Sequence, residues 1–118
     1  MIKISNELLS EVLGINIDEN DIYIKNNYCY YAYCRSDNEW VNASLNIYEL
    51  AHKCKEWALK NGYYLRAEQG INYYDKLQWT CFLNKDMDDG ADYVDYWNLT
   101  EVEAIIKACE WIYKELNK

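Results

Sequence analysis

The sequence predicts an α+β fold: an antiparallel sheet of about four strands with helices packed on it, sandwich-like, in the order α-β-β-α-β-β-(β)-α. Three observations carry that prediction. Residues 46–62, NIYELAHKCKEWALKNG, place Ile47, Leu50, Ala51, Cys54, Trp57 and Ala58 on one stripe of a helix. Residues 63–68 and 77–83 alternate with period two, so that Leu77, Trp79, Cys81 and Leu83 share one face and Gln78, Thr80 and Phe82 the other. The chain has 118 residues, 51% of them hydrophobic. That suits a single domain spanning 1–118 with one core.

In chain order, Ser5 caps a short first helix with Leu8, Leu9, Val12 and Leu13 as its apolar side and Gly14 as its stop. Residues 18–21, DEND, form an acidic turn. Residues 22–25 and 28–34 form a hairpin around Asn26-Asn27, because asparagine tolerates the positive φ of a two-residue turn. The second of these strands is apolar or aromatic on both faces, which places it inside the sheet. Residues 35–43 read as a polar connection containing Trp40. Asn46 with Glu49 opens the central helix as a capping box, and Asn61-Gly62 ends it. Glu49–Lys53 and Glu56–Lys60 make favourable i,i+4 pairs on its polar side.

The second hairpin turns near Gln69-Gly70. Residues 84–97 then form a long acidic loop, within which residues 93–97 add a short edge strand. Thr100 and Glu103 make another capping box, opening a final helix to about Leu116. Val102, Ile105, Ile106, Cys109, Ile112 and Tyr113 form its main apolar stripe. Ala104, Ala108 and Trp111 form a second side, so the helix is contacted twice.

Composition narrows the function classes. A net charge of −8 and an isoelectric point near 4.6 argue against ordinary nucleic-acid binding, which needs a basic face. They equally disfavour an anionic membrane surface. Thirteen tyrosines and five tryptophans against one phenylalanine favour half-buried surfaces and interfaces, since these rings pair apolar area with a polar handle. The five cysteines are scattered without a C-x-x-C, and no run reaches transmembrane length. The expectation is a cytoplasmic protein with reduced thiols.

Catalytic and metal motifs are weak. His52, the one histidine, lies on the flank of the central helix, and Cys54 at i,i+2 does not face it. A Cys–His dyad would need another thiol, for example Cys81, brought near by folding. Cys29 and Cys34 point to opposite faces of one strand, and no ligand pair has zinc spacing. Aligning Gly90 with the glycine of a calcium-binding EF-hand loop puts Lys85 and Met87 on ligand positions and Tyr96 where a bidentate Glu belongs, so that motif fails. A loose Mg²⁺ or Ca²⁺ site stays open, and no cofactor is expected. Phosphate-cradling glycine loops, G-x-S-x-G and H-E-x-x-H are absent, so the chain is expected not to be an enzyme.

The acidic loop carries the alternative to catalysis. Asp86, Asp88, Asp89, Asp92 and Asp95 are candidate partner-binding carboxylates, with Asp18, Glu19, Asp21, Asp37 and Glu39 adding charge in other loops. Carboxylates on a rigid fold imitate a phosphate backbone and can occupy a protein's basic groove. Tyr93, Tyr96, Trp97 and Trp111 are candidate partner-binding aromatics. Loop acidity for solubility, and aromatics that finish the core, account for the same residues.

The final helix, residues 100–109 (TEVEAIIKAC), resembles the closing helix of the phage ABA-sandwich domain proteins. These are small phage and prophage proteins that tend to end with a Thr-x-x-x-Ala-Ile-x-x-Ala helix after a Trp-containing strand. Trp79 in LQWTCF is similar to that strand, and the helix before Gly62-Tyr63 is similar to the family's middle helix. The resemblance covers about residues 44–116; the Tyr-rich first hairpin and the proline-free turns depart from the pattern. It implies a helix–sheet–helix sandwich encoded by a phage or integrated element, with no catalytic residues to carry over.

The leading expectation is therefore a non-enzymatic phage or mobile-element accessory protein in the host cytoplasm. It would bind a basic host protein stoichiometrically, as an acidic nucleic-acid mimic that inhibits a defence or nucleic-acid-processing protein. Two alternatives stand beside it. One is a small-molecule-binding protein with a Tyr/Trp-lined pocket, and the other a structural subunit self-associating through the Ala104–Ala108–Trp111 side.

Overall fold

Each helix starts where a side-chain oxygen satisfies a backbone N–H that the first turn leaves unpaired. In the computed structural model, which describes residues 2–71, 76–85, 92–98 (backbone) and 100–118, α1 spans Asn6–Leu13, α2 Ile47–Lys60 and α3 Glu101–Leu116. Ser5 Oγ accepts from Leu8 N at 3.1 Å, Asn46 Oδ1 from Tyr48 N at 2.8 Å and Thr100 Oγ1 from Glu103 N at 3.1 Å. Gly14 (φ 67°) and Gly62 (φ 89°) take the left-handed conformation that ends α1 and α2, as expected of glycines there. Glu110 joins the two ends of the chain: Ser5 N and Ser5 Oγ donate to its carboxylate at 3.0 and 2.6 Å.

The α+β class with antiparallel pairing holds, but the described strands form two sheets rather than one. The first contains β1 (Asn16–Ile17), β2 (Tyr23–Lys25), β3 (Tyr28–Cys34) and β4 (Trp40–Asn46). β3 is its centre, pairing with β1 and β2 along one side and with β4 along the other. The second has the order β5 (Tyr63–Ile71), β6 (Leu77–Lys85), β7 (Asp92–Asn98). Asn26 and Asn27, at φ 53° and 67°, make the expected turn of the first hairpin.

Two stretches differ from their sequence reading. Residues 40–46 are a strand rather than connection: the chain reverses over 36–39, with Asn38 at φ 66°, and β4 pairs with β3 over its whole length. Its period-two pattern, with Val41, Ala43 and Leu45 half-buried and Trp40, Asn42 and Ser44 exposed, is hidden by the polar residues on its open side. Gln69 and Gly70 are likewise not a turn. They continue β5, with Gly70 opposite Gln78 and Ile71 opposite Leu77. An exposed strand end rich in Glu, Gln and Gly gives no apolar signal.

The core collects the helical stripes. Leu8, Leu9, Leu50, Cys54, Ala58, Cys109 and Ile112 have no exposed surface. Cys109 Sγ donates to the Cys54 carbonyl at 3.5 Å where α2 and α3 meet. α2 packs on β3 and β4 of the first sheet and on β5 of the second, while α3 lies across β5, β6 and β7. The second sheet therefore has a deeply covered helix side, with Tyr63, Leu65, Cys81 and Leu83 buried. On the first sheet Cys29 is fully buried, but Tyr31, Tyr33 and Val41 on the same side are only half-covered. No helix among the described residues is long and apolar enough to cross a membrane.

Candidate interaction surfaces

Register defines an open aromatic face on the first sheet. The pairs Tyr23↔Tyr30, Tyr28↔Asn46, Tyr30↔Ser44, Ala32↔Asn42 and Cys34↔Trp40 all lie on the side opposite Cys29. Tyr23 and Trp40 are each 55% exposed, Tyr28 is exposed and Tyr30 half-buried. Tyr23 and Tyr30 stack with ring centroids 4.9 Å apart and planes 19° from parallel, and Tyr28 tilts against Tyr30 at 6.4 Å. These contacts hold the rings against one another. Asn42 and Ser44 add exposed hydrogen-bonding groups beside them.

Lys25 is the one charged side chain at these positions, on a chain whose net charge is −8. Acidic residues instead flank the sheet. Glu19 and Asp21 are exposed in the β1–β2 connection, where Asp18 Oδ1 accepts from Asn20 N at 3.0 Å. Asp37 and Glu39 lie in the β3–β4 turn. Arg35 grips Asp37 there at 2.7 Å, holding its carboxyl below the usual range, and reaches Glu39 at 3.8 Å. The result is an aromatic centre carrying a single lysine, with an acidic margin, matching the apolar core and polar rim of protein interfaces. Sequence reasoning passed over Tyr23, Tyr28, Tyr30 and Trp40. The signal was present, because Trp40-x-Asn42-x-Ser44 alternates, but residues 35–43 read as a polar connection and the second strand of the hairpin as apolar or aromatic on both faces.

The residues selected from sequence distribute differently. Asp86, Asp88 and Asp89 lie outside the described residues. Asp92, Tyr93, Asp95, Tyr96 and Trp97 belong to β7, where the backbone places Asp92 opposite Leu83 and Tyr93 opposite Phe82. β7 is thus the edge strand expected there. Trp111 is half-buried on α3 and meets Tyr63 edge-on at 6.3 Å, so part of its ring completes the core. Ala104 and Ala108 are fully buried within the chain, and self-association cannot use them.

The fold does not assemble the Cys–His dyad. His52 is exposed, with Nε2 2.6 Å from Glu56, whereas Cys81 has no exposed surface. Burial pushes the Cys81 thiol up to about 11, and burial followed by proximity to Cys54 does the same for Cys29. The hydrogen bond with Cys54, then burial, raises Cys109 further still. These sulfurs stay protonated at neutral pH, and a thiol is a poor nucleophile. No cluster of three or more His, Cys, Asp or Glu is present among the described residues.

Three grooves formed by described residues are shallow. One of about 290 Å³ lies between Ile2–Ile4 and Ile22–Ile24; one of about 270 Å³ lies between α2 and β5. A third, about 220 Å³, is on the open side of β5 and β6. All are at or below the small end of ligand pockets, and none has a tryptophan in its lining. No protein-family model matches the chain, and no significant match was found among curated proteins or solved structures.

Proposed function

We propose that this protein acts without catalysis, by stoichiometric binding of a basic protein partner through the open face of the first sheet. The observation that carries this reading is the exposed Tyr23–Tyr28–Tyr30–Trp40 surface, margined by Glu19, Asp21 and Glu39, on a strongly acidic chain. Tyrosine, tryptophan, asparagine and serine give large rigid contact area and adaptable hydrogen bonds at low entropic cost. Marginal carboxylates steer a basic partner and reject acidic ones. The shallow grooves and the buried, protonated thiols also favour binding over chemistry.

In the finer form of this proposal the partner is a host defence or nucleic-acid-processing protein, and the protein belongs to a phage or mobile element. The carboxylates of residues 86–95 then stand in for a phosphate backbone in the partner's basic groove. The resemblance of the final helix and the Trp79 strand to phage ABA-sandwich proteins supports that origin.

Affinity capture from bacterial lysate tests both forms. Wild-type protein is expected to retain a basic protein in a salt-sensitive manner, and Trp40→Ala to weaken retention at least tenfold, the size of an interface hot spot. Unchanged capture by Trp40→Ala would sink the first-sheet assignment. Unchanged capture after Asp86, Asp88, Asp89 and Asp92 are all replaced by Asn would remove the mimicry.

A further inference from the structure

β5 is an outer strand of the second sheet, nine residues long and free of proline. An unpaired edge of this length is a template for another strand unless something blocks it. Large apolar side chains stand exposed around it, among them Leu59 (62%), Tyr64 (62%) and Ile71 (66%), with Leu77 (62%) beside Ile71 on β6. Leu59 lies in the groove between α2 and β5 with Tyr63 and Leu65. On the opposite side of the strand, the space above Gly70 is empty out to 4 Å, within the hollow lined by Glu68, Gln78, Thr80 and Phe82. The buried Thr80 hydroxyl there has no hydrogen-bond partner among the described residues.

We infer that this edge pairs with the same edge of a second copy, β5 antiparallel to β5 about Ala67, joining the two three-stranded sheets into one. The sequence of the strand, YYLRAEQGI, is what selects a second copy. With Ala67 opposite its own equivalent, Arg66 faces Glu68 of the second copy, and Glu68 faces its Arg66, so two opposite-charge cross-strand pairs form. Arg66 Nε already lies 2.9 Å from Glu68 within one chain, with both side chains half exposed, so these charges are available on the open side.

The same register sets Tyr64 opposite Gly70 of the second copy. There a tyrosine ring covers the empty space beside Thr80, the arrangement in which an aromatic shields a strand glycine. It also sets Ile71 opposite Tyr63, over the groove that exposes Leu59. A two-fold axis makes each of these contacts twice, which is the geometry of an isologous dimer. One register thus uses the charges, the glycine, Leu59, Tyr64 and Ile71.

Sedimentation equilibrium of the full chain tests the register. Wild type is expected to dimerise, and Arg66→Glu and Glu68→Arg each to weaken the dimer by about tenfold, since either change places like charges opposite one another twice. An equimolar mixture of the two variants is expected to recover wild-type association. One chain then presents carboxylates at positions 66 and 68, and the other guanidinium groups at both. Tyr64→Ala, at an exposed position, is expected to weaken the dimer several-fold while circular dichroism stays unchanged. A wild-type chain still monomeric at roughly 1 mM would overturn the inference. So would single variants that dimerise like wild type, or a mixture that fails to recover.

Discussion

The two sheets hang on the same helix and are used in opposite ways. The second sheet turns its rich apolar side to α2 and α3, with Tyr63, Leu65, Cys81 and Leu83 buried, and leaves a strand edge open. The first sheet has its aromatic side open. Burying a ring and exposing one are both within reach of tyrosine, because its apolar body and hydroxyl suit either setting. Which happens depends on whether a helix lies on that side. α3 covers three strands of the second sheet, whereas among the described residues the first sheet receives α1 on β1 and α2 on β3 and β4. Burial is therefore concentrated on the second sheet, and exposed aromatic surface on the first.

The largest test of that division is Leu50→Ala. Leu50 is fully buried on α2, the helix that touches both sheets. Its truncation is expected to lower unfolding free energy by about 2–4 kcal/mol through lost burial and a residual cavity. Urea titration should show a single transition moved to lower midpoint by near- and far-ultraviolet circular dichroism alike. Separate transitions would mean that the sheets fold independently.

A smaller effect compares one thiol from each sheet. Cys29 on β3 and Cys81 on β6 are both raised from 9.0 to about 11, mainly by burial. A raised thiol favours the folded state below the unfolded value and loses that contribution as pH climbs to the folded one. Stability is accordingly expected to fall between pH 9 and 11, the unfolded chain releasing protons that the folded chain holds. Cys29→Ala and Cys81→Ala should each flatten the slope of melting temperature against pH in that window, whatever they do to stability at pH 7. Equal slopes in wild type and both variants would show that these thiols do not titrate with unfolding.

The smallest expected effect is the one that isolates recognition. Trp40→Ala should change unfolding free energy by no more than about 0.5 kcal/mol, as for an exposed surface position, while partner capture falls as described above. A large loss of stability would place Trp40 in the structural half of the comparison.

Much of this architecture is legible in local pattern. Ser5, Asn46 and Thr100 cap the helices because each offers an oxygen to an unpaired N–H within three residues. Asn26-Asn27 turns the first hairpin through a conformation that asparagine accepts on its own. β4 and the far end of β5 are less legible, since strands open on one side carry polar residues that read as loop. Tyr63 shows the limit from another direction. Its neighbour Tyr64 has the same chemistry, yet one is buried against Trp111 and the other is exposed.

The sequence by itself determined the helices, their buried stripes, the α+β class and the acidity that disfavours nucleic acid and membrane. All of these rest on contacts a few residues apart or on summed charge. Only the tertiary structure decided that the strands divide into two sheets, that β5 is an edge and that the Tyr23–Trp40 side lies open. Those outcomes depend on which distant segments pair and where a helix comes to rest, and no spacing within a strand encodes its neighbour.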